Sequence, residues 1–240
     1  MTLLRAAGFT DIGKVRKENE DRMVFSDRVR LYGVADGVGG LPGGAEAAQE
    51  TADVVTAEIK ALEADSPLDL QAIVTKANDA VIVLGQRISP GMGIGSTLTF
   101  GLVRGSRLHV AHVGDSRAYS LRGGQLTCLT EDHSVENEAR RRRAKGEVVY
   151  YNEAHRGALT RCMGQPTPPE VDLLNLPLRA EDRYIFCTDG VTRMITDREL
   201  RDIIGQGDSP DRIAKDLVSL AVERGGPDNA TVVAVIIDAA

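Results

Sequence analysis

Four aspartates in this 240-residue chain stand beside glycine or asparagine at the ends of apolar runs: Val34-Ala35-Asp36-Gly37, Val113-Gly114-Asp115-Ser116, Cys187-Thr188-Asp189-Gly190 and Gly226-Pro227-Asp228-Asn229. Strand ends hold short carboxylates still, and glycine lets a backbone carbonyl approach a ligand. Carboxylates gathered in one place repel unless positive charge lies between them. Oxygen-only donors of this kind suit hard divalent cations such as Mg²⁺ or Mn²⁺. The pattern reads as a multi-metal site assembled from distant parts of the chain.

A second constellation, Gly13-Lys14-Val15-Arg16-Lys17-Glu18-Asn19-Glu20-Asp21, lies just before Asp36. An arginine beside a dimetal centre fits a phosphoryl group, because its planar fork matches phosphate oxygens. Two ions about 3.5–4 Å apart can bridge a water, lower its pKa and present hydroxide for in-line attack. No G-x-x-x-x-G-K-[ST] run supports nucleoside-triphosphate chemistry. Neither a Cys-x₅-Arg loop nor a Ser-His-Asp order offers a protein nucleophile.

These residues need a rigid frame. Apolar alternation predicts strands at Arg22–Phe25, Arg30–Ala35, Thr97–Val103, Arg107–Val113, Ala118–Leu121, Gln125–Leu129, Arg183–Thr188 and Ala230–Asp238. The last is β-branched and nearly continuous, as a strand buried on both faces would be. Arg122-Gly123-Gly124-Gln125 reads as a tight hairpin. Alanine-rich helical patterns cover Ala45–Glu63 and Leu68–Ile88. Thr196-Asp197-Arg198-Glu199 is a capping box opening a short helix, and Ser209-Pro210 starts another ending near Arg224. Strands and helices do not alternate throughout, which excludes a doubly wound parallel sheet. One α+β domain over residues 1–240, with antiparallel sheets covered by helix pairs, is the expectation.

The bulk composition narrows the function classes. A net charge of −6 argues against a general nucleic-acid binder, and 4% aromatics without tryptophan leave few stacking platforms. No apolar run is long enough to span a bilayer, and Met1–Gly13 lacks the apolar core of a signal peptide. Cys128, Cys162 and Cys187 form no C-x-x-C pair, consistent with a reducing, cytoplasmic setting. His109 and His112, three apart on a strand, point to opposite faces and cannot chelate one metal. His133 follows Glu131-Asp132 at a helix start, where capping or surface exposure accounts for it. The run Arg140-Arg141-Arg142-Arg143-Ala144-Lys145 reads as a solvated helix face, or as a docking surface for acidic or phosphorylated substrates.

Taken in order, Val15-Arg16…Asn19-Glu20-Asp21 as one motif, then Val34 to Gly40, Gly95-Ser96-Thr97, Gly114 to Tyr119, Thr188-Asp189-Gly190 and Gly226 to Thr231 strongly resemble the metal-dependent serine/threonine protein phosphatases of the protein phosphatase 2C-like class, in their compact bacterial form. A lone Asp-Gly is weak evidence; six ordered motifs spanning nearly the whole chain are specific. The resemblance implies a four-layer αββα sandwich, two antiparallel sheets flanked by helix pairs, with the metals at one edge. It implies that Asp36 bridges two core ions, Mn²⁺ or Mg²⁺. The Gly37 carbonyl would ligate one of them, and Asp189 and Asp228 the other. Asp115 would serve a weaker third site, Arg16 would bind phosphate, and Glu20 and Asp21 would order metal-bound waters. Thr97 would pack beneath the site. The implied reaction is hydrolysis of protein phosphoserine and phosphothreonine by a metal-bridged hydroxide without a phosphoenzyme, opposing a serine/threonine kinase in signal transduction. A monomeric, bare catalytic domain is expected, with phosphorylated proteins as partners and neither nucleic acid nor membrane.

Three departures stand out. An acid expected three residues beyond Asp189 is missing, the chain having Thr192-Arg193, which weakens the third site. Val38 stands where eukaryotic members carry a histidine, so leaving-group protonation falls to a metal-bound water. Leu41-Pro42-Gly43-Gly44-Ala45 lacks the usual histidine and glutamate. The departures leave two alternatives, a catalytically weak phosphoprotein-binding module and a hydrolase of small phosphate esters.

Overall fold

The computed structural model describes residues 2–40, 42–63 and 66–240. Two five-stranded antiparallel sheets carry the molecule. One has the order β1 (Leu3–Asp11), β10 (Ala230–Ala239), β9 (Arg183–Cys187), β6 (Arg117–Arg122), β7 (Gln125–Cys128). The other runs β2 (Asp21–Ser26), β3 (Leu31–Asp36), β4 (Leu98–Arg104), β5 (Arg107–Val113), β8 (Asp172–Pro177).

Three apolar layers hold the four structural layers together. Between the sheets, Tyr32, Val34 and Val110 meet Tyr184, Phe186, Val233 and Val235. Helices α1 (Gly44–Ala61) and α2 (Leu70–Ile88) close over the β2–β5 sheet through Ala48, Val55, Val74 and Ala77. Helices α5 (Asp197–Gln206) and α6 (Pro210–Glu223) cover the other sheet through Leu200, Ile204, Ile213 and Leu217. Strand β10 therefore lies under a helix on one face and a sheet on the other, and Ala230 to Ile237 are all buried. That is why its sequence shows a continuous apolar run rather than alternation. The αββα arrangement matches the sequence expectation.

Local signals account for the helix boundaries. The capping box is formed, with Thr196 and Glu199 exchanging bonds at the start of α5. Ser209 caps α6 ahead of Pro210. Gly123 and Gly124 make the β6–β7 turn, with Arg122 opposite Gln125.

Four elements are absent from the predicted set: β1, β8, the one-turn helix α4 (Asp189–Thr192) and a 3₁₀ turn at Glu153–His155. Strand β1 (LLRAAGFTD) carries few β-branched residues, and a tertiary pairing decides it: nine of its positions are in register with β10. Helix α3 (Val135–Ala144) carries the arginine run. Arg140 bonds Asn137, Arg142 bonds Glu147, and Arg143 bonds the Val149 carbonyl and covers Tyr151. Much of that charge is used within the fold. Leu41 of the altered loop lies outside the described residues. No helix among the described residues is long and apolar enough to cross a membrane.

Candidate metal centre

The sheets end together at one rim, and there the aspartates meet. Asp21 opens β2 and Asp36 closes β3, directly opposite each other across the antiparallel pair. Like charges so placed destabilise a sheet unless compensated. Asp115 follows β5, Asp189 follows β9, and Asp228 precedes β10. Both sheets thus contribute donors to one cluster.

Asp21 is 3% exposed. Its Oδ2 accepts from the hydroxyls of Thr188 (2.8 Å) and Thr231 (2.6 Å). Its Oδ1 is buried without a partner. Burial pushes its carboxyl up to about 7, the threonine hydroxyls pull it back, and Asp189 and Asp228 push it further. Burial first, then the charges of Asp21, Asp189, Asp115 and Asp228, hold Asp36 well above the usual carboxylate range. Asp115 is pushed up to about 7 by burial and by Asp189. Burial and the Asp228 charge also raise Asp189, while Arg193 and Arg16 draw it down. Such a group of like charges stays ionised at neutral pH only beside a cation.

Two arginines supply part of that charge. Arg16 Nη2 donates to Asp228 Oδ2 at 2.8 Å, and its Nη1 lies 3.6 Å from Glu20 Oε2. Gly39 lies against this guanidinium, and a Cβ there would sit 2.9 Å from Nη1. On the opposite flank Arg193 pairs with Asp189 and reaches to 3.8 Å from Asp115. Among the described residues no three His, Cys, Asp or Glu side chains converge as a ready cage. Asp228 and Asp189 are turned toward the arginines instead.

The residues nevertheless fit hard divalent ions. The donors are all oxygens, one buried carboxylate oxygen lacks any partner, and the cluster is rich in negative charge. Gly37 packs so closely on the Gly44 backbone that any Cβ would collide with the Gly44 carbonyl, so only glycine fits beside Asp36.

Residues not singled out in the sequence support the predicted ones. Thr97 accepts from the Asp36 backbone N–H (3.0 Å) and bonds Ser116 (2.7 Å), as expected of a residue beneath the site. Asn229 ties the two chain ends together: its Oδ1 accepts from Glu20 N–H, and its Nδ2 donates to the carbonyls of Ile12 and Glu18. Thr188, Thr231 and Asn229 lie inside the aspartate motifs, and adjacency was the only sequence signal for them.

His133 departs from expectation. It neither caps α3, which Ser134 does, nor faces solvent. It is 5% exposed, and its Nδ1 accepts from the Gly114 backbone N–H at 3.1 Å, one residue before Asp115. Its ring lies 4.7 Å from that of His112, which burial pushes down to about 4 and keeps neutral. Long-range packing, invisible locally, recruits both rings. Cys187 is buried and Cys128 exposed.

Residues 6–230 match the family profile described as Protein phosphatase 2C. The chain belongs to the protein phosphatase 2C family. It is 33% identical over 237 residues to the serine/threonine protein phosphatase PstP of Mycobacterium tuberculosis (strain ATCC 25618 / H37Rv). That match takes in 96% of this chain but 44% of PstP, so the chain spans less than half of that relative. It is 31% identical to the serine/threonine phosphatase stp of Listeria welshimeri, covering 94% of this chain and 93% of the relative. The solved Mycobacterium tuberculosis phosphatase PstP/Ppp superposes with a TM-score of 0.85 at 32% identity, over 99% of this chain and 100% of that one. A PstP catalytic domain solved with two manganese ions gives 0.79 at 33% identity, covering 99% of each. Within this phosphatase 2C fold, the carboxylate rim is the feature shared by both sheets.

Proposed function

We propose that this phosphatase 2C domain is a serine/threonine protein phosphatase that hydrolyses phosphoserine and phosphothreonine in proteins, opposing a kinase. The observation that carries the reading is the cluster of Asp21, Asp36, Asp189 and Asp228 at the common rim, with Arg16 docked on Asp228. PstP's solved complex with two manganese ions supports the choice of ion.

Asp36, the Gly37 carbonyl, Asp189 and Asp228 would hold two Mn²⁺ or Mg²⁺ ions. Bound there, the ions would act as Lewis acids on phosphate and lower the pKa of a coordinated water. Arg16 binds and orients the phosphoryl group through its fork while screening Asp228. Glu20 and Asp21 accept hydrogen bonds from water at the rim. Thr188 and Thr231 fix the Asp21 carboxylate through Oδ2, leaving Oδ1 without a protein partner.

Purified protein with Mn²⁺ is expected to release phosphate from a phosphothreonine peptide, with EDTA abolishing release. No release from phosphopeptides or para-nitrophenyl phosphate would overturn the reading. A higher kcat/KM on the peptide than on the free ester separates protein substrates from small ones.

Arg16→Ala should raise KM for the peptide about 10–100-fold, with a smaller loss in kcat. Arg16→Lys should recover little, because an ammonium lacks the bidentate fork. An unchanged KM would remove Arg16 from phosphate binding.

A further inference from the structure

Arg193 stands at the rim against the proposed ligands, and the phosphatase reading above does not use it. It caps the end of α4 with its side chain about half exposed, and its guanidinium pairs with Asp189 Oδ2 and lies 3.8 Å from Asp115 Oδ2. It lowers the proton affinity of both carboxylates. The neighbouring cation Arg117 is engaged elsewhere, bonded twice to Asp132 at 2.7 Å. Asp115, Asp189 and Arg193 line an open cleft of about 580 Å³, bounded on its far side by Glu153, Arg156 and Gly157. A hydrated ion therefore has room to reach Asp115, yet the guanidinium already holds that position.

The placement of charge points the same way. Arg16 sits on Asp228 and Glu20 at one flank of the cluster, and Arg193 on Asp189 and Asp115 at the other. A divalent ion arriving at Asp115 would meet the Arg193 charge unless that side chain withdrew.

We infer that Arg193 is a fixed counter-cation at the Asp115 end of the cluster, taking the place of a further divalent ion and limiting the centre to two. The inference rests on the dinuclear reading above. A guanidinium remains protonated at any working pH and is not removed by chelators, so this part of the cluster stays compensated whatever the ion supply.

The test counts Mn²⁺ per chain by calorimetric titration, with bound ion quantified by electron paramagnetic resonance. Wild type and Arg193→Lys are expected to bind two. Arg193→Met, which keeps bulk but loses charge, should bind three, and Arg193→Met with Asp115→Asn should return to two. Should Arg193→Met unfold, Arg193→Gln gives the same comparison. A third ion in wild type, or a count of two in both neutral variants, would overturn the role of Arg193 while leaving the dinuclear centre standing. Uptake of no ion by wild type would overturn the dinuclear reading itself.

Discussion

Asp36→Asn is expected to lower kcat/KM on a phosphothreonine peptide by about 10³-fold or more, roughly 4 kcal/mol of transition-state stabilisation. Asp36 closes β3 opposite Asp21, and it is the residue whose proton affinity is raised by four other carboxylates. A side chain at the focus of that repulsion is the one two cations can share. An amide keeps the shape but removes the charge that attracts them. The same substitution relieves the repulsion, so in EDTA the variant should unfold at a higher temperature than wild type. Activity within tenfold of wild type, or a lower unfolding temperature in EDTA, would contradict this account.

The second large effect is on stability. Asp21 and Asp115 are pushed up to about 7, and Asp36 and Asp189 are raised as well. Between the unfolded carboxylate value, near 3.8, and these raised values, the folded chain holds more protons than the unfolded one. Its stability therefore falls as pH rises across that window. His112 and His133 are shifted the other way by burial, and their contribution grows with pH only up to about 6.5. A range from pH 6.5 to 8.5 separates the two effects. In EDTA, Tm should drop by about 3–6 °C across that range, following from roughly 1–2 kcal/mol for Asp21 and Asp115 together in a chain of this size. Saturating Mn²⁺ should raise Tm and flatten the slope, because an ion replaces the proton as the compensating charge. Differential scanning fluorimetry at fixed ionic strength reads both; a Tm in EDTA that is flat or rising with pH would contradict the clustered-carboxylate account.

The sequence exposed some of this and hid the rest for definable reasons. Asp36, Asp189 and Asp228 were legible because each sits in a short motif whose neighbours share its task. Strand β10 and the capping box of α5 were legible because burial and capping leave local patterns. Strand β1 was not, since its pairing with the far end of the chain, rather than its own residues, decides its form. His133 looked like a surface residue beside a helix start, yet a fold-wide contact draws it beneath Gly114. Arg193 was visible as a departure from the family pattern. Its pairing with both Asp189 and Asp115 needed coordinates, because those residues are brought together by strands from different sheets.

Asn229 gives the rim a temporal character. Its side chain grips the carbonyls of Ile12 and Glu18, the latter 211 positions away in sequence, immediately before β10 slots between β1 and β9. Until that strand inserts, Asp228 has no fixed place and Arg16 has only its local partner Glu20. High-affinity ion capture is then expected to wait for that insertion. In a stopped-flow refolding trace, Mn²⁺ uptake should lag behind burial of the α1–α2 half and coincide with protection of the β10 amides from exchange. The carboxylate rim works as a late latch, closing only once the two distant ends of the chain have met.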